Sequence, residues 1–371
     1  MKKISRRYFA KNIGLGIGIS TLLPSFISIE DYIPEHEEKK LNIALVGLGT
    51  YAKILATGLK KSKHCQLAGV VTSRIEKARD WQQTYGFPEK NMYTYDNFDE
   101  IAKNQDIDLV YIVLPNGLHK EYTLRAANAG KHVIVEKPMA LNAKECKDMI
   151  KACKNAGVQL AVGYRLHYEP HHLEIKRLGQ EKVFGSVRMI EASLGYDITG
   201  MSPDHWYFKK ELAGGGALVN LGIYCIQSNR YVIGEEPISV TAQFAPKTKP
   251  ELFKEVEENI SWQLNFPGGA VCNSMTTSNC HVDRFYAAAE HGFFEMSPAL
   301  SYGPFKGRSS LGELDFPVIN QQAAQLDGIA KHILSGENVP SHISGDEGLK
   351  DMRIIDAIYK AAETGKRIFL P

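Results

Sequence analysis

Two short segments of this 371-residue chain have residue types and spacing suited to chemistry. Gly47-Leu48-Gly49-Thr50-Tyr51-Ala52 is a G-x-G-x-x-A turn placed directly after an apolar run. Gly47 permits a tight turn, Gly49 lets a pyrophosphate approach the backbone, and Ala52 lets helix and strand pack closely. The helix that follows offers unpaired N–H groups to phosphates. The second segment is Glu136-Lys137-Pro138 after another apolar run. An ammonium there, at the carboxyl edge of an open α/β sheet, can hydrogen-bond a reacting oxygen and stabilise developing negative charge. Pro138 allows a cis bond at modest cost. Taken alone, a Glu-Lys-Pro turn is ordinary surface.

Elements to position these groups follow from the pattern. Strands are predicted at 41–46, 66–72, 109–112, 132–136 and 159–162, with helices at 52–62, 75–85, 120–129 and 143–156 between them. Such alternation predicts a parallel sheet covered on both faces, a Rossmann dinucleotide-binding domain over 41–163. The second strand ends in Thr72-Ser73-Arg74, with Lys77 one turn on. An acid there would hold a ribose 2′-hydroxyl, whereas hydroxyls and two cations suit a 2′-phosphate, so NADP is expected over NAD. From 164 to 371 the pattern changes. Residues 187–196, 238–244, 259–266 and 270–277 read as strands, Pro267-Gly268-Gly269 as a hairpin turn, and 214–234 as an apolar helix.

Composition bounds the rest. Hydrophobic residues make up 44% and charged residues 23%, and the formal net charge is +2 with acids and bases interspersed. That gives no electrostatic case for a nucleic-acid partner. Six cysteines show neither a CxxC pair nor zinc-ligand spacing; Cys65, Cys146 and Cys153 read as small buried hydrophobes. No His, Asp and Glu grouping has metal spacing, and no catalytic metal is expected. At the N-terminus, Ser5-Arg6-Arg7-Tyr8-Phe9 precedes a Gly-rich apolar stretch too short to span a bilayer. Residues 1–28 resemble a twin-arginine export signal and 29–40 a linker or arm, which predicts a periplasmic protein exported folded. An uncleaved signal would retain it at the membrane.

Further segments carry a resemblance. Leu114-Pro115-Asn116-Gly117-Leu118-His119, Glu136-Lys137-Pro138, Gly163-Tyr164-Arg165-Leu166-His167-Tyr168-Glu169-Pro170, Glu211-Leu212-Ala213-Gly214-Gly215-Gly216 and Gly222-Ile223-Tyr224 resemble the Gfo/Idh/MocA oxidoreductases. The branch represented by glucose–fructose oxidoreductase is the most similar, and the likeness spans nearly the whole chain. It implies an α/β Rossmann domain followed by an α+β domain. That second domain is an open, mainly antiparallel sheet with helices on one face, whose exposed side commonly forms a homodimer or homotetramer interface.

The resemblance also implies roles. Lys137 and Tyr224 would be catalytic, with Tyr224 the acid–base group and Lys137 lowering its pKa through nearby charge. Tyr51, Leu114, Asn116, His119, Glu136 and Arg165 would join the fingerprint, Thr72, Ser73, Arg74 and Lys77 around the nucleotide. Arg165, Tyr168, Trp206 and Asn220 would line the sugar with Lys137 and Tyr224. Asn220 stands where the branch has Asp, and Asn cannot act as a base. A role for His167 stays open, and His171 and His172 look like an exposed helix start. Tightly bound NADP, an aldose oxidised at C1 to the lactone, and reoxidation by a second sugar are the expected chemistry. An NAD(P)-dependent glycoside hydrolase or a glycoside 3-dehydrogenase of the same family remains open, as does a non-catalytic sugar-binding protein.

Overall fold

A computed structural model of the chain describes residues 39–371, so the expected signal and all but the last two residues of the arm lie outside the described residues. The first lobe alternates β1 (Leu41–Val46), α1 (Thr50–Lys61), β2 (Cys65–Val71), α2 (Ile75–Tyr85), β3 (Met92–Tyr93), β4 (Leu109–Ile112), α3 (His119–Asn128), β5 (His132–Val135), α4 (Ala143–Asn155) and β6 (Leu160–Val162). Its strands form one parallel sheet in the order β3-β2-β1-β4-β5-β6. That is the doubly wound dinucleotide topology. The near-continuous apolar strands, such as the fully buried Leu109–Ile112, are what a sheet covered on both faces requires.

The second lobe begins with α5 (Pro170–Gln180) and β7 (Val187–Gly195), followed by α6 (Lys210–Ala213), α7 (Ile223–Ile233) and β8 (Ser239–Phe244). Then come β9 (Asn259–Asn265), β10 (Val271–Thr277), β11 (Val282–Ala289), β12 (Gly292–Met296), β13 (Gly307–Ser309), β14 (Gly312–Leu314), α8 (Gln321–Leu334), α9 (Gly345–Thr364) and β15 (Ile368–Phe369). Nine strands pair in the order β14-β13-β12-β11-β7-β10-β9-β8-β15. All neighbours are antiparallel except β7 and β10.

The helix predicted over 214–234 has a more specific form. Gly214, at φ 81°, caps α6, and a π-helical turn at Leu218–Gly222 then leads into α7. Such turns widen a helix locally and are frequent at functional sites. The C-terminal helices return to the first lobe: α8 packs on α1, and α9 packs on α4 and β6 while also covering β8. Met352, Ile355 and Ile358 of α9 are fully buried by this double packing, each stabilising by about 1.5–3 kcal/mol. Gly117 lies where the lobes meet; a Cβ there would sit 2.4 Å from the Glu211 carbonyl oxygen.

Five cysteines are buried and Cys280 is exposed, all as free thiols. No described helix is long and apolar enough to cross a membrane. Among the described residues no group of three or more His, Cys, Asp or Glu is placed to hold a metal ion.

Candidate active site

The fingerprint turn sits at the carboxyl end of β1. Gly47 has φ 91°, and a Cβ there would lie 2.6 Å from the Val113 carbonyl oxygen and 2.8 Å from a Leu114 methyl, so the position excludes any side chain twice over. Leu114 thus packs directly behind the turn. Around Gly49 a Cβ would meet nothing within 4 Å. Gly49 also caps α1 without a side-chain hydrogen bond, leaving the helix N–H groups of Thr50 and Tyr51 free beside that open space. These residues fit a pyrophosphate.

Beyond β2, Thr72 is buried, with its N–H donated to the Tyr93 carbonyl, while Ser73 and Arg74 are exposed. Burial lowers the Lys77 pKa, and the neighbouring charges of Arg74 and Lys53 lower it further. Three cations therefore share this corner, and none of them forms an ion pair with another described residue. The cluster fits an anion such as a 2′-phosphate. Lys53 was not singled out from the sequence, because only the packing of α1 on the sheet brings it beside Arg74.

Lys137 and Arg165 leave the carboxyl ends of the neighbouring strands β5 and β6. The Lys137–Pro138 bond is cis. Lys137 donates from Nζ to the Asn220 carbonyl in the π turn, at 2.8 Å, and lies 4.5 Å from the centre of the Tyr224 ring. The Arg165 guanidinium stands 5.1 Å from the same ring and 4.4 Å from the Tyr302 ring. Arg165 is only 2% exposed; it donates to the Ser301 carbonyl at 2.9 Å and to the Gln321 side chain. Asn320 caps α8 by accepting from Ala323 N–H, which sets the first turn of that helix, and hence Gln321, against Arg165. Burial alone would raise the Tyr224 phenol, but Arg165 and then Lys137 outweigh it and hold the pKa below its ordinary value.

Glu136 is buried beside the site. Tyr111 donates to its Oε1 at 2.6 Å, and the Lys137 backbone N–H donates to its Oε2 at 3.2 Å. Gln325 of α8 in turn donates to the Tyr111 hydroxyl at 2.8 Å. Burial raises the Glu136 pKa despite these bonds. His119 is completely buried, with Nδ1 2.9 Å from the Pro138 carbonyl and Nε2 2.9 Å from the Leu114 carbonyl. Its ring ties the Leu114 segment to the Lys137–Pro138 turn and presents no nitrogen to the cleft. Asn116 donates to the Ala213 carbonyl at 2.8 Å, joining the two lobes.

Asn116, Trp206, Tyr207 and Asn220 surround one small hollow beside the Tyr224 helix. Trp206 packs edge-on against Tyr207, ring centres 4.3 Å apart. Tyr168 is placed elsewhere: its ring fills the space over Gly328 of α8, and its buried hydroxyl has no partner. The structure thus brings Lys137, Arg165, Trp206, Asn220 and Tyr224 together, and keeps Tyr168 and the His119 ring apart from them. One expectation is corrected. His171 and His172 are not an exposed helix start; each is buried and directs Nδ1 to one oxygen of Glu169, at 2.8 Å. Phe305 and Phe316, from loops more than 130 residues later, cover them. Residues the sequence did not mark include Tyr302, whose ring also faces Tyr51 at 6.4 Å, together with Tyr207 and Gln321.

Comparison with known proteins identifies both domains. Residues 41–164 match the family described as "Oxidoreductase family, NAD-binding Rossmann fold" and residues 172–295 match "GFO/IDH/MocA C-terminal domain". A relative from Haloarcula marismortui, D-xylose 1-dehydrogenase [NADP(+)], is 28% identical over 345 residues, covering 90% of this chain and 94% of its own. Trans-1,2-dihydrobenzene-1,2-diol dehydrogenase of Xenopus laevis is 33% identical over 205 residues, 55% of this chain and 58% of its own. Among solved structures, aldose-aldose oxidoreductase from Caulobacter crescentus, complexed with glycerol, superposes with a TM-score of 0.86 at 39% identity, covering 90% of this chain and 100% of that one. The chain belongs to the Gfo/Idh/MocA family of oxidoreductases.

Proposed function

We propose that this chain is an NADP-dependent sugar oxidoreductase that oxidises an aldose at C1 to the lactone and returns the reducing equivalents to a second sugar. The observation that carries this reading is the pair of cations, Lys137 and Arg165, set against one tyrosine at the carboxyl edge of a dinucleotide sheet. When bound, the nicotinamide accepts a hydride from the carbinol carbon. The chain itself must take the hydroxyl proton. Tyr224 is the group able to do so, because two neighbouring cations stabilise its phenolate. Lys137, held by the Asn220 carbonyl, points an ammonium toward the reacting oxygen and stabilises its developing charge. Asn220 itself carries no titratable group, so the proton falls on Tyr224.

The corner of Lys53, Arg74 and Lys77 supports NADP, in keeping with the cofactor named for the Haloarcula relative. The name of the Caulobacter protein supports two aldose substrates. Tight retention of the cofactor follows from the twin-arginine-like residues Arg6 and Arg7: outside the cytoplasm no free NADP pool would serve the enzyme. We place the protein in the periplasm on that ground, and take the exposed face of the nine-stranded sheet as a surface for a homodimer or homotetramer. The test is product analysis of paired aldoses with the purified enzyme. Lactone and alditol formed in equal amounts support the reading, with activity lost in Lys137→Ala and Tyr224→Phe. Release of an aglycone from a glycoside without net oxidation would replace it with the hydrolase reading. Loss of export on Arg6→Lys with Arg7→Lys tests the compartment.

A further inference from the structure

Residues 297–306, between β12 and β13, have no regular secondary structure, yet they supply carbonyls and a ring to Arg165. One carboxylate holds this segment in place. Asp283 of β11 is buried, and among the described residues it forms no ion pair. Its Oδ1 accepts from the backbone N–H groups of Ala299, at 2.9 Å, and Leu300, at 2.6 Å, and its Oδ2 from that of Ser301, at 3.2 Å. Three consecutive N–H groups turned to one anion form a nest, which offsets the burial of a charge that has no cation beside it.

These bonds also fix the other side of the same chain. A trans peptide is planar, and its N–H and C=O point in opposite directions. The peptide joining Leu300 to Ser301 is trans. With its N–H on Asp283, its carbonyl faces the opposite way, where Arg165 donates to it at 3.3 Å. The next carbonyl, that of Ser301, accepts from Arg165 at 2.9 Å. Tyr302 then lays its ring 4.4 Å from the guanidinium, and its own carbonyl accepts from Gln321 at 3.0 Å. Carboxylate, peptide and guanidinium form one hydrogen-bonded chain in which each bond polarises the next. The charges that act most strongly on Tyr224 are Arg165, Lys137 and Glu136. Its other titratable neighbours, Tyr51, Tyr196, Tyr207 and Tyr302, are phenols.

We propose that Asp283 is a positioning residue for Arg165: by holding residues 299–301 it aims two carbonyls at the guanidinium and keeps that cation against the Tyr224 ring. The inference rests on the reading of Tyr224 as the acid–base group given above. Arg165 is gripped from two sides, by this segment and by the Gln321 side chain of α8, and only the first side depends on Asp283. Releasing that side frees the guanidinium to leave the ring, and the phenolate then loses part of its stabilisation. Two effects of Asp283 on Tyr224 have opposite signs. Deleting a distant negative charge would ease ionisation of the phenol, whereas releasing Arg165 would hinder it. Positioning predicts the second.

The first test needs no sugar. In the purified protein, the tyrosinate absorbance that Tyr224→Phe removes marks the titration of this phenol. That titration should rise by about one pH unit in Asp283→Asn, which keeps the side chain's shape and loses an acceptor oxygen. Asp283→Glu keeps the charge but displaces the segment by one methylene, and should raise it too. In an Arg165→Met background Asp283→Asn should add no further shift, because the residue it acts through is gone. A titration that stays or falls in either folded variant, or the full shift in the Arg165→Met background, makes Asp283 a structural group or a distant charge, and overturns the proposal whatever the melting temperature does. Stopped-flow reduction of the bound nucleotide by an aldose supplies the second test. In Asp283→Asn its rising pH limb should move upward by the same amount, with the rate near neutral pH about tenfold lower and the high-pH plateau kept. A phenol that shifts while the limb stays in place supports positioning by Asp283 and removes only the reading of Tyr224 as the acid–base group.

Discussion

Replacing Arg74 by Ala removes one of three cations that converge at the end of β2 without a carboxylate partner among the described residues. At rest these charges oppose one another, as the lowered Lys77 pKa records after burial itself. A 2′-phosphate relieves that repulsion and accepts charge-assisted hydrogen bonds of about 1.5–3 kcal/mol each, or about 10- to 150-fold in Kd. Arg74 is exposed, so solvent screening places its share at the low end, about tenfold. Lys77 is half-buried and more shielded, and the double variant Arg74→Ala with Lys77→Ala should lose about 10²-fold. NAD, which lacks the phosphate, should bind both variants as it binds the parent. The assay is fluorescence titration of nucleotide-free protein with each cofactor at two salt concentrations, and added salt should weaken NADP more than NAD. Equal losses for NADP and NAD, or no loss for either, would refute the assignment of this corner to the 2′-phosphate.

Other outcomes follow from the same geometry. Because Arg165 and Lys137 hold the Tyr224 phenol below its ordinary value of about 10, the oxidising half-reaction should rise with pH and level off below that value; a stopped-flow pH profile of Tyr224→Phe should lack this limb. Asp351 accepts from Tyr164 and Gln227 at 2.7 Å each and from Arg230 at 2.5 Å, deep between the lobes, so Asp351→Ala leaves a buried cation short of a partner and should cost about 3–5 kcal/mol, read as a clear fall in melting temperature. Gly328→Ala would drive a Cβ to 2.1 Å from the Tyr168 ring and should destabilise by about 1–3 kcal/mol, seen in urea unfolding. Tyr168→Phe removes only an unpartnered hydroxyl and should leave kcat and KM unchanged; a raised KM would return Tyr168 to the sugar site.

Much of the first lobe was legible in the sequence because parallel strands buried on both faces read as continuous apolar runs separated by amphipathic helices. All five long strands and all four helices fall within a residue or two of their expected bounds. The second lobe was read less completely. Its strands β11 to β15 are short or irregular in pattern, as in the partly buried Val282–Ala289, and alternation is too weak over such lengths to mark them. The π turn was hidden because its apolar spacing still reads as an ordinary helix. Local pattern also misplaced His171 and His172. A proline and two histidines read as a polar helix start, and nothing nearby announces that Phe305 and Phe316 will close over them. Tyr302 and Gln321 belong to the same class: a tyrosine in a loop and a glutamine at a helix start have no chemical signature until the chain folds back on Arg165.

The central claim is that Lys137 and Tyr224 run sugar oxidation against a retained nicotinamide. It is tested most directly by the near-ultraviolet spectrum of the purified, unsupplemented protein before and after a panel of aldoses. The account predicts a reduced-nicotinamide band that rises with one sugar, falls with a second, and stays absent in Lys137→Ala. A bound nucleotide that no free sugar reduces would contradict it.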